Sequence, residues 1–140
     1  MRRTYALAVV LSLALPAGCG SSRASDSAVK TTVERGVAHL RKPQTTEQLH
    51  NGLVRTLRQL RDEHASTATG RNGRALAIEG FTWTLRGIDA RLEMTRNDSG
   101  NLEGSVRDAV RADRDLRKGA RLLRAAGRSL GIRIGKLNGF

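Results

Sequence analysis

Eight basic side chains, Arg107, Arg111, Arg114, Arg117, Lys118, Arg121, Arg124 and Arg128, recur at three- and four-residue spacing toward the C-terminal end of the chain. On a helix that spacing gathers them on one broad face. A guanidinium presents a planar fork of donors that matches phosphate or carboxylate, so the chemistry open to such a face is capture of an anionic partner. Acids flank it at Asp108 and Asp115, none follows Asp115, and Leu116 to Phe140 carries seven positive charges. The bland alternative is a solvated helix face, because Arg supplies 21 of the 25 basic residues and would decorate any surface.

Other chemistry-bearing strings are less complete. Glu47-Gln48-Leu49-His50 contains one Glu-x-x-His, the element that dinuclear metal bundles use twice. His39 has Gly36 and His64 has Arg61 where a second Glu would stand, so the full ligand set cannot be assembled and no metal or cofactor is expected. Glu47 reads as a first-turn acid favoured by the helix dipole, and His64 as a core-edge histidine. Gly127-Arg128-Ser129-Leu130-Gly131 matches the Gly-x-Ser-x-Gly string, which needs a strand before it and a helix after it, and here it ends a helix. Ser27-Ala28-Val29-Lys30 matches Ser-x-x-Lys but has no Lys-Thr-Gly companion in a chain of this size. No catalytic constellation emerges, and the chain is expected not to be an enzyme. Asp113, one turn before Arg117, predicts an ion pair.

The elements that must position the arginine face follow from periodicity. Val29, Val33, Val37 and Leu40 form a narrow apolar stripe that ends before Pro43. Thr45 with Gln48 resembles a capping box and opens a helix with the stripe Leu49, Leu53, Leu57, Leu60 and His64. Ala65 to Gly73, punctuated by Gly70 and Asn72-Gly73, reads as a turn. The next helix, Arg74 to Arg96, carries one stripe of Ala77, Phe81, Leu85, Ile88 and Leu92. A second stripe holds Leu76, Gly80, Trp83, Gly87, Ala90 and Met94, so this helix should be the most buried, with Trp83 filling a second packing layer. After a turn over Asn97 to Asn101, a fourth helix from Leu102 to Leu130 should turn Leu102, Val106, Ala109, Leu116, Ala120, Leu123 and Gly127 to the core and stop at Gly131. Short connections between amphipathic helices favour antiparallel neighbours, so the expected fold is an all-α, up-and-down four-helix bundle. Its first helix should be the shortest.

Composition sets the outer bounds. The chain has 140 residues, 27% charged and 39% hydrophobic, with a formal net charge of +12. One small domain fits that length, whereas a barrel or a two-domain doubly wound sheet does not. The charge makes an anionic partner plausible without specifying a reaction.

Arg2 and Arg3 precede an uncharged run from Tyr5 to Leu15, the order of a secretory signal. Its eleven residues are too few for a spanning helix, which needs roughly 20. Leu15-Pro16-Ala17-Gly18-Cys19 then resembles the lipobox of bacterial prolipoproteins, in which the cysteine after the cut is acylated. The chain departs from that family in placing Pro16 three before the cysteine, with the aliphatic Leu15 one position earlier. The resemblance covers the first 20 or so residues. It implies a signal peptide over 1–18, lipidation of Cys19, and a palmitate-bearing lipid anchor on the extracytoplasmic face of the cell membrane. A small polar tether is expected over 19–27, the bundle over 28–131 and an extended tail over 132–140. Cleavage would leave no free thiol and no disulfide.

The expected function is therefore that of a lipid-anchored, exported, non-enzymatic binding or adaptor module. Its membrane partner is held through Cys19, and its arginine face meets an anionic lipid, cell-wall polymer or acidic protein. The alternatives are a metal- or cofactor-binding bundle, or a nucleic-acid-binding protein if the signal reading fails. Nucleic acid is disfavoured, because after cleavage only Phe81, Trp83 and Phe140 remain to stack on bases.

Overall fold

The computed structural model describes residues 21–96 and 102–137, and these build an all-α bundle of four helices without a strand. They are α1 (Ser21–Arg41), α2 (Thr46–Asp62), α3 (Ala68–Arg96) and α4 (Leu102–Leu130). The expected signal peptide, Cys19 and the turn over Asn97 to Asn101 lie outside the described residues.

The helix ends have local causes. Helix α1 stops two residues before Pro43, which biases the residue ahead of it away from helical dihedrals. Helix α2 opens on a complete capping box: the Gln48 N–H donates to Thr45 Oγ1 at 3.2 Å, and the Thr45 N–H donates to Gln48 Oε1 at 3.1 Å. Its last carbonyls are closed from α3, where Arg74 Nε donates to the Leu60 carbonyl at 2.6 Å and Nη2 to that of Arg61 at 2.7 Å. Helix α4 ends at Gly131, whose φ of 67° suits a residue without a Cβ. There the Ile132 N–H reaches back to the Gly127 carbonyl at 2.8 Å in a Schellman turn.

Consecutive helices run antiparallel, and α3 lies at the centre. Thr32 and Arg35 of α1 bond Glu63 beyond the end of α2 and Gln59 within it, and His50 early in α2 meets Asp89 late in α3. Between α3 and α4 the register is heptad-spaced: Gly73 faces Leu130, Gly80 faces Leu123 and Gly87 faces Leu116. At each of these points a methyl on the glycine would stand 2.5–2.9 Å from the leucine side chain, so the helices approach closely only because the methyl is missing. The predicted α1 stripe is buried throughout, as are Leu53, Leu57, Leu60, Ala77, Phe81, Ile88, Leu116, Ala120 and Leu123. That single cluster supplies the burial that stabilises the fold.

Several sequence expectations are corrected. The tether expected over 19–27 is helical from Ser21, and α2, with 17 residues, is shorter than α1 with 21. The turn expected over Ala65 to Gly73 is helical from Ala68, because Thr67 caps it: the Gly70 N–H donates to Thr67 Oγ1 at 2.9 Å. Gly70 and Gly73 are packing glycines here, the first against Asp26 and the second against Leu130. His64 lies beyond α2 and is exposed. Val106 and Val110 are 55% and 65% exposed and Ala109 is exposed, since α4 packs on α3 with little contact to α1 or α2 and none of the described residues covers the outer side of its first turns.

The α1–α3 tie through Asp26 makes a pH prediction. Its carboxylate accepts from the Ser66 N–H at 2.9 Å, the Thr67 N–H at 3.4 Å and the Thr67 hydroxyl. The Thr67 hydroxyl bond, with help from the two backbone N–H groups and Arg71, holds its pKa below the usual carboxylate value. A lowered folded value means that the stabilisation is complete above the unfolded value of about 3.9 and is lost as pH falls through the folded one. Urea midpoints of wild type and Asp26→Asn should therefore differ at pH 5–7 and converge below about pH 4, whereas a gap unchanged by pH would show that the carboxylate charge is not what Thr67 holds.

Candidate functional site

The arginine face exists as one surface of α4, opposite its buried side. Ala112, Leu116, Gly119, Ala120, Leu123 and Ala126 turn inward, and Arg107, Arg111, Arg114, Arg117, Arg121, Arg124 and Arg128 are all exposed. The structure divides these cations by their partners. Arg107 pairs with Glu103 at 3.1 Å, and Arg117 with Asp113 at 2.6 Å, the pair predicted from their spacing. Arg114 reaches within 3.8 Å of Asp115, which is buried on the inner edge of the helix and not a wet flank. Among the described residues Arg111, Arg121, Arg124 and Arg128 make no ion pair.

Lys118 is engaged across the α3–α4 seam. Its ammonium sits 3.7 Å from the Trp83 ring centroid and 4.0 Å from Glu79, so it ties α4 to α3. Trp83 is correspondingly not the second core layer expected of it. It is half-buried at the α3–α4 seam, donates from Nε1 to Glu79 at 3.2 Å, and holds Arg86 4.6 Å from its ring centroid beside Lys118. Two cations within reach of the ring make cation–π contacts, which tolerate water at its edge.

At 3.6 residues per turn, Arg117, Arg121, Arg124 and Arg128 fall within about 60° of the helix circumference. Val106 and Val110 extend the same stripe toward the start of α4.

The tail completes the site in a way that spacing on one helix does not reveal. After Gly131 the chain is extended and turns back along α4, with Ile132 and Ile134 half-buried and Leu137 5% exposed. Six extended residues reach about 20 Å. Eleven helical residues from Gly131 back to Ala120 rise about 16 Å. Leu137 thus comes to lie beside Ala120, and the two floor an open cleft of about 430 Å³ rimmed by Arg117, Arg121, Arg124 and Lys136. Among the described residues no acidic side chain lines it.

The other strings are placed as follows. His50 Nε2 lies 3.2 Å from Asp89 Oδ1, and Glu47, Asn51 and Glu93 share their cleft of about 400 Å³. Among the described residues no three His, Cys, Asp or Glu side chains are arranged to hold a metal ion. Ser129 donates to the Thr69 carbonyl at 3.0 Å and so fastens the end of α4 to the start of α3. No described helix is long and apolar enough to cross a membrane.

Compared with known proteins, the chain matches no family model, no curated sequence and no solved structure.

Proposed function

We propose that this chain is an exported bacterial protein, lipid-anchored through Cys19, whose helical domain is a non-enzymatic binding module for anionic lipid headgroups at the extracytoplasmic membrane face. The observation that carries the reading is the stripe of Arg121, Arg124 and Arg128, exposed and, among the described residues, without acid partners, on a helix where Arg107, Arg114 and Arg117 each lie beside one. Val106 and Val110 on the same stripe favour a lipid surface over a hydrophilic polymer, because exposed aliphatic groups gain only where they can leave water.

Two measurements test this. Metabolic lipid labelling of the full chain beside Cys19→Ala in a bacterial host should mark the wild type alone and retain it in the membrane fraction. The Cys19→Ala protein should cosediment with phosphatidylglycerol vesicles, and the binding should fall steeply with salt as the screening length shortens from about 10 Å at 0.1 M toward 3 Å at 1 M. Each juxtamembrane cation contributes about 1 kcal/mol, so Arg121→Gln with Arg128→Gln should weaken binding at least tenfold. Absent or salt-independent vesicle binding overturns the surface role, and a soluble unlabelled wild type overturns the anchor and returns nucleic acid to consideration.

A further inference from the structure

We propose that the cleft between α4 and the returning tail is a phosphoryl-group site, in which Arg121 and Arg124 supply guanidinium forks and Lys136 closes the open side. The inference deepens the binding role proposed for α4 and rests on it, naming the group that the face recognises.

Charge selects the ligand class. Arg117 is matched by Asp113 at 2.6 Å, which leaves Arg121, Arg124 and Lys136 as three cations around one small volume with no acid partner among the described residues. Three like charges brought together by tail docking repel one another, and a bound anion relieves that repulsion. A phosphoryl group, with up to two charges and three free oxygens, uses all three cations, whereas a carboxylate uses one fork. The floor of Ala120 and buried Leu137 excludes water from one side, so contacts above it are screened less than those of Arg111 or Arg128 on the open face. The same floor suits the carbon substituent of a phosphate ester.

The tail is part of the site and not a neighbour of it. Lys136 is held at the rim only because Leu137 is seated, and Leu137 is seated because Gly131 reverses the chain and Gly127 leaves room for the Ile132 carbonyl and the Ile134 side chain, both 2.9 Å from where its Cβ would be.

The experiment is an NMR titration of the full chain carrying Cys19→Ala with inorganic phosphate, at ionic strength held constant with chloride. Arg121 and Arg124 Hε and the Leu137 methyls should shift together and saturate. Lys136→Gln, which keeps Leu137 in place, should weaken binding about tenfold, the loss of one charge-assisted contact. Leu137→Asp, which undocks the tail, should remove saturation, while Arg55→Gln, exposed on α2 and outside the α4 stripe, should stay within twofold of wild type. Vesicles of phosphatidic acid against phosphatidylserine, at equal surface charge, separate the sources. A Lys136→Gln defect specific to phosphatidic acid identifies a lipid phosphomonoester, a defect with inorganic phosphate alone identifies a free phosphate, and either upholds the site. Shifts that grow linearly without saturation, or a Lys136→Gln protein indistinguishable from wild type on both probes, overturn it. In that case salt-sensitive vesicle binding by the parent protein would leave the wider α4 surface role standing, and its loss would take down both.

Discussion

Replacing Phe81 with alanine is expected to cost the fold about 3–5 kcal/mol, the range for deleting a fully buried aromatic ring and leaving its cavity. Phe81 is 0% exposed, and its ring crosses from α3 to the seam between α1 and α2. A methyl added to Gly36 of α1 would stand 2.5 Å from the ring tip and 2.6 Å from Thr56 Cγ2 of α2, so three helices meet at this point with no slack. A domain of this kind has about 5–15 kcal/mol of stability in total, so the variant should melt roughly 10–20 °C lower or fail to fold. Gly36→Ala offers an independent reading of the same junction from the other side. It should destabilise by about 1–3 kcal/mol through overpacking. Combined with Phe81→Leu, which withdraws the ring tip, it should cost less than the sum of the two single changes. Thermal melts of the four proteins check both statements. A Phe81→Ala loss under about 1 kcal/mol, typical of a half-exposed site, would mean that the centre of the core lies elsewhere.

Much of the fold was legible because it rests on local rules. The period of Val29, Val33, Val37 and Leu40, the Thr45 and Gln48 box, and Gly131 as a helix stop each depend on residues within a turn or two, and the structure has each of them. The features that differ from the sequence expectation depend on distant partners. Asn72-Gly73 has the composition of a turn, yet it lies inside α3 because Leu130, far along the chain, needs the room. Ser-rich residues around Asp26 have the composition of a tether, yet the Asp26 carboxylate binds the start of α3. Trp83 is apolar by type, but Lys118 and Arg86 set its place at the seam.

The candidate site divides along the same line. The periodicity of Arg107 to Arg128 was enough to place one face, and the Asp113 to Arg117 pair follows from one helical turn. Which of those cations are spent on Glu103, Asp115 and Glu79 needed side-chain geometry, and Glu79 sits on another helix. Lys136 and Leu137 carried no helical signal at all, since they reach α4 through a chain reversal. The available hint was the aliphatic set Ile132, Ile134 and Leu137, interleaved with charge and glycine in a segment that cannot continue the helix.

The second large effect is expected at Gly119, where α4 meets α3 backbone to backbone. A Cβ there would lie 2.8 Å from the Gly80 carbonyl oxygen and 2.9 Å from the Thr84 nitrogen, and would also strike the Thr84 hydroxyl. A leucine tip can rotate away from an added methyl, but a carbonyl and an amide in the middle of a helix cannot, so the two helices must part. Parting loosens the heptad contacts on either side, Gly80 with Leu123 and Gly87 with Leu116. Intrinsic propensity acts in the opposite sense, because replacing a mid-helix glycine gains up to about 1 kcal/mol. Sterics should win: Gly119→Ala is expected to destabilise by about 1–2 kcal/mol after that offset, and Gly119→Val by about 3 kcal/mol or more. Gly135→Ala is the control, since its nearest atom is the Arg41 guanidinium at 3.6 Å and its change should stay within about 0.5 kcal/mol. Chemical denaturation of the three variants decides the matter. Stabilisation by Gly119→Ala would mean that propensity outweighs contact and that α3 and α4 stand farther apart, in which case the Lys118 clamp on Trp83, which depends on the same separation, would be lost as well.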